Sequence, residues 1–87
     1  MDTYHKTARF YDPAPILVRI DVLLGVMDQR ELAAAFGLFR GMKLDSVVTC
    51  ISRMRKKDQI AEELADDWCL FLGTSLAAMY PEIYLAA

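Results

Sequence analysis

Two capping signals bracket residues 29–40 and constrain the chain more than any other feature. The run Asp28-Gln29-Arg30-Glu31 opens that stretch and Gly41 closes it. In this spacing the Asp28 carboxylate accepts from the Glu31 amide while the Glu31 carboxylate reaches back to the Asp28 N–H. A glycine just past the end supplies the left-handed turn that finishes a helix. Between them Leu32, Ala35 or Phe36, and Phe39 recur at helical spacing.

The same punctuation recurs along the chain. Asp12-Pro13-Ala14-Pro15 reads as an N-cap followed by first-turn prolines, and predicts a helix over 13–27. Its apolar positions leave no polar stripe, so it is expected to be buried on several sides. Ile16, Val18, Ile20 and Val22 alternate as in a strand, but length and capping favour helix. A third helix, 45–57, starts near Asp45 or Ser46 and carries Leu44, Val47, Ile51 and Met54 on one face. A fourth, 59–79, places Ile60, Leu64, Trp68, Phe71, Leu72, Leu76 and Met79 within about 160° of arc. Gly73 falls inside it, at a cost of roughly 1 kcal/mol against alanine, and Pro81 stops it. The expectation is an all-α fold: one compact bundle of about four helices in a single domain, 1–87. Residues 1–11 form a flexible arm that Tyr4, Phe10 and Tyr11 can order, and Glu82-Ile83-Tyr84-Leu85 a short apolar tail.

Such a bundle has more apolar side chain than it needs. Of the 87 residues, 55% are hydrophobic, where soluble domains run about 45–50%, and mean hydropathy is +0.21. The surplus can go to a membrane, to a second copy or to another protein. The longest apolar stretch, 16–27, is interrupted by Arg19 and Asp21, whereas a spanning helix needs about 20 mostly apolar residues. No signal-peptide pattern opens the chain. Protein contact is left, and Val18, Val22, Leu38, Leu70, Tyr80, Ile83, Tyr84 and Leu85 are the residues a core this small cannot hold. Burial is worth about 25 cal/mol per Å², so a shared patch of these side chains could hold a homodimer.

Chemistry-bearing constellations are few. His5 is the sole histidine, and Cys50 and Cys69 have neither C-x-x-C spacing nor a histidine neighbour, so no metal site is expected. Cys–His catalysis would require His5 to reach a thiol inside a helix. The four glycines form no phosphate loop, and no cofactor is expected. Two cysteines within helices read as reduced core thiols of a cytoplasmic protein. Glu62, Glu63, Asp66 and Asp67 suit the first turns of a helix, and Arg53-Met54-Arg55-Lys56-Lys57 suits the last turn of the one before.

The basic cluster has a second reading. Residues 31–38, Glu-Leu-Ala-Ala-Ala-Phe-Gly-Leu, resemble the first helix and turn of a helix-turn-helix. Residues 47–60 look like a winged-helix recognition helix running into its exit turn. The resemblance implies a small DNA-binding regulator, with Ser46, Thr49, Arg53 and Lys56 in the groove and Arg55 and Lys57 on phosphates. It covers about 30 residues, by the span of the matched motif. Nine residues separate Gly37 from Val47 where the compact motif has about five, and a long helix is expected where a wing would stand. A net charge of −2 and a pI near 5.2 also run against phosphate binding. The leading expectation is therefore a non-enzymatic interaction module, an adaptor, chaperone-like protein or inhibitor that docks on a protein as a homodimer. DNA regulation is the alternative.

Overall fold

In the computed structural model, residues 9–82 are described. They form an all-α globule: α1 Ala14–Leu23, α2 Gln29–Arg40, α3 Leu44–Lys57, α4 Glu62–Phe71 and the single turn α5 Leu76–Met79. Two dipeptides, β1 Phe10–Tyr11 and β2 Ile60–Ala61, pair antiparallel with Phe10 opposite Ala61 and Tyr11 opposite Ile60. Among the described residues no helix is long and apolar enough to cross a membrane.

The local signals act as their chemistry dictates for α2 and α3. Glu31 N donates to Asp28 Oδ1 (2.8 Å) and Asp28 N to Glu31 Oε1 (2.9 Å), closing the capping box. Arg55, Lys56 and Lys57 occupy the last turn of α3, where carbonyl ends favour cations. Asp58 then turns the chain at φ +55°, a left-handed conformation that a short polar side chain tolerates. Gly37 lies within α2 rather than in a turn. A Cβ there would stand 2.5 Å from the Met42 carbonyl oxygen, so the close return of the chain after α2 requires glycine.

Three expected boundaries are corrected. The first helix ends at Leu23, not 27, and the chain continues through turns in which Gly25 N donates to Val22 O and Val26 N to Leu23 O. This break lets Asp28 adopt the extended backbone that a cap needs (φ −85°, ψ 168°). The fourth helix does not span 59–79. Ile60 and Ala61 are taken by the β pair, reinforced by Glu62 N donating to Arg9 O at 3.0 Å. At its other end Gly73 (φ +80°) sits past a Schellman closure, with Thr74 N donating to Cys69 O and Gly73 N to Leu70 O. Ser75 caps α5 by accepting from Ala78 N at 3.1 Å. Finally, the expected arm 1–11 ends in structure: Tyr11 is buried and its hydroxyl donates to Glu62 Oε2 at 3.1 Å. Tyr4 and His5 lie outside the described residues.

The core centres on Trp68, fully buried and stacked on Phe36 with centroids 3.7 Å apart and planes 3° from parallel. Phe71 meets both rings edge-on at 5.3 and 5.8 Å. Ile16 and Ile20 of α1, Leu32 of α2, and Val47, Ile51 and Met54 of α3 close around this stack.

Candidate functional site

Helix α1 has one buried flank and one open flank. Ile16 and Ile20 are fully buried, but Val18 and Val22, four residues apart, are 62% and 70% exposed, and Val26 in the turn beyond the helix is 84% exposed. The expectation of a helix covered on several sides is corrected accordingly. Beside the valines opens a cleft of about 660 Å³. Val18, Val22, Leu23, Met27 and Leu32 line one side, Phe71 and Leu72 the other, and Arg19 is the one charged lining residue. Phe71 continues this apolar surface to the half-exposed Phe39, with ring centroids 5.7 Å apart.

The structure sorts the expected interface residues. Val18 and Val22 belong to the cleft; Leu38 and Leu70 are also exposed. Tyr80 is not a surface residue, which corrects its assignment to the interface. It is buried, its hydroxyl donates to Asp12 O at 2.7 Å, and its ring meets Tyr11 edge-on at 4.8 Å. Burial, with Cys69, Asp12 and Tyr11 beside it, raises its phenol above the ordinary value. Ile83, Tyr84 and Leu85 lie outside the described residues.

A second cleft, of about 830 Å³, runs along the outer face of α3. Ser46, Thr49, Arg53 and Lys57 form one wall, because spacings of three and four residues stack them on one face. Phe10, Gln59 and Ala61 of the β-pair region line the cleft too, with the buried Met54 and Ile60 and the part-buried Leu64. Phe10 is 59% exposed. Among the described residues neither Arg53 nor Lys57 has a carboxylate within ion-pair distance. Arg40, also in the cleft, is bound to Asp67 at 2.8 Å. Asp45 is the acidic residue of the lining, at the opposite end of α3 from Lys57.

Of the six side chains expected on DNA, these four share the cleft and two do not. Arg55 turns to α1, with Nη2 2.7 Å from Asp21 Oδ1, and its hydrogen bond holds the Asp21 carboxyl below its usual value. Lys56 is exposed outside the cleft. The link between α2 and α3 is three residues, Gly41 to Lys43, the length of a helix-turn-helix turn. A short strand follows α3, where a continuous helix was expected.

Both cysteines are free thiols. Cys69 is in the core, whereas Cys50 lines the α3 cleft, half-buried. Burial pushes the Cys50 thiol up, against the Trp68 indole N–H and the Arg40 and Arg53 guanidiniums, which favour the thiolate. The indole N–H itself completes no hydrogen bond among the described residues. Burial also raises Cys69, helped by Asp66 and opposed by Arg19. No three histidine, cysteine, aspartate or glutamate side chains gather as a cation site among the described residues. What the two clefts offer is recognition: apolar contact in one, cations, hydroxyls and an aromatic ring in the other. Comparisons with protein-family models, with curated proteins and with solved structures found no match.

Proposed function

We propose that this chain is a non-enzymatic protein-interaction module that works as a homodimer and presents an apolar helical surface to a protein partner. The observation that carries the reading is the exposed valine ridge of α1 beside the Phe71–Leu72 cleft. Val18 and Val22, four residues apart on α1, form a short ridge, and a two-fold axis can seat such a ridge against its own copy. Water release supplies the driving force in proportion to the area covered. A stable interface of ordinary size covers about 800 Å² per partner. Phe39, beside Phe71, extends that surface, and Leu38 and Leu70 are further exposed apolar side chains. The free thiols fit a reducing, cytoplasmic setting.

Light scattering over a dilution series tests this. The expected mass is twice the 9.9 kDa of one chain. Val22→Asp should raise the dissociation constant more than about tenfold, because its carboxylate would be buried without a partner. A monomer at every concentration, or a dimer indifferent to Val22→Asp, defeats the reading.

A second reading is duplex-DNA binding through α2 and α3. The three-residue turn that begins with Gly41 favours it. Its cation supply is smaller than the sequence suggests, since Arg55 is committed to Asp21. Preferential, salt-sensitive binding of duplex over single strand, lost in Arg53→Gln, would select it.

A further inference from the structure

We propose that the α3 cleft is a binding site for a nucleotide unit, either free or within a single strand, with its base on Phe10 and its phosphate on Arg53 and Lys57. This site shares no residue with the valine cleft, so it stands or falls independently of self-association.

Four observations converge on it. The volume, about 830 Å³, lies within the range of small-ligand sites, about 300–1,000 Å³. Arg53 and Lys57 are cations without carboxylate partners among the described residues. They stand one helical turn apart, about 6 Å along the axis, so both can reach one phosphate or two successive ones. In the same cleft, Phe10 leaves more than half of its surface open to water although its strand neighbour Tyr11 is buried. A basic wall together with an open aromatic ring is the pairing by which proteins hold unstacked nucleotides. Ser46 and Thr49 continue the α3 wall with hydroxyls that can reach sugar oxygens. Asp45 would repel a phosphate, but it lies two turns from Arg53, about 12 Å along the helix. That sets the polarity of the ligand, with the phosphate toward Lys57.

The charge pattern alone would also suit an acidic peptide. Phe10 decides against it, because a carboxylate gains nothing from an exposed ring whereas a base stacks on it. A duplex is disfavoured because the bases must be reached face-on within the cleft rather than edge-on from a groove.

Anisotropy of a short fluorescein-labelled oligothymidylate, titrated with the full chain, provides the test. Saturable binding is expected, weakening about sevenfold between roughly 50 and 200 mM salt if two phosphates are engaged. Phe10→Ala should lower affinity about fivefold or more while leaving helical circular dichroism unchanged. Arg53→Gln with Lys57→Gln should remove most of the salt dependence. Displacement of the strand by adenosine monophosphate identifies a free-nucleotide site. Strand binding that the mononucleotide does not displace identifies a single-strand site. The inference is overturned by the absence of saturable binding at low salt, by preference for duplex, or by an oligoglutamate that competes as well as the strand and is indifferent to Phe10→Ala. Val22→Asp serves as the control: it should change the mass of the particle but not the affinity for the strand.

Discussion

The valine cleft and the α3 cleft are similar in size and opposite in chemistry, although one aromatic cluster underlies both. Phe71, edge-on to Trp68, lines the first; Cys50, whose thiolate the Trp68 indole N–H favours, lines the second. The difference comes from the helices that rim them. Helix α1 carries apolar residues around its whole circumference, so the flank left outside the core stays apolar. Helix α3 is strictly amphipathic, with Val47, Ile51 and Met54 buried and Ser46, Thr49, Arg53 and Lys57 outside. One site thus depends on removing water and should be indifferent to salt. The other depends on charge and should be sensitive to it. The lesson is that the face a helix does not spend on the core fixes the kind of partner it can take.

The strongest way to break the contrast is to remove Trp68, which lines neither cleft but packs in the core against Phe71 of the first. Trp68→Ala should cost about 3–5 kcal/mol, comparable with the whole stability of a domain this small. Denaturant melts should show it, and dimerisation and strand binding should fail together. Loss of one without the other would show that only one cleft depends on the core stack. Gly37→Ala should separate them instead. Its Cβ meets the Met42 carbonyl, and Met42 lines only the α3 cleft. A cost of about 1–3 kcal/mol is expected, with strand affinity reduced and the dimer mass retained.

The smallest effect concerns the β1–α1 junction that holds Phe10 in place. Tyr80→Phe removes the hydrogen bond to Asp12 O and should cost about 1 kcal/mol at neutral pH. The raised phenol adds a pH signature. Its contribution is fully present below the ordinary tyrosine value of about 10 and is lost as pH rises through the higher folded value. Alkaline melts of the natural chain should therefore fall more steeply than those of Tyr80→Phe.

Much of this architecture is legible in local chemistry. The Asp28–Glu31 box, the Gly41 stop and the cationic end of α3 place two helices within a residue of where they stand, because each signal acts over one turn. Long-range pairing is not legible in that way. Ile60 and Ala61 look like the start of an amphipathic helix until Phe10 and Tyr11, some fifty residues earlier, claim their backbone. Gly73 is ambiguous for a related reason: the same residue weakens a helix interior and completes a helix end, and only the fold chooses. Half of the α3 cleft is readable as a helix face, through Ser46, Thr49, Arg53 and Lys57. Phe10 and Gln59 join it only through the β pair. Tyr80 is buried where hydropathy places it outside, because composition cannot foresee a hydroxyl finding the Asp12 carbonyl.

The chain contains a single tryptophan, and Trp68 is sealed from solvent with its N–H unbonded among the described residues. All indole emission therefore originates from one core site, edge-on to Phe71 of the valine cleft. A sealed, apolar surrounding places that emission toward the blue. The molecule carries its own optical label, held by the fold in the aromatic stack of its core.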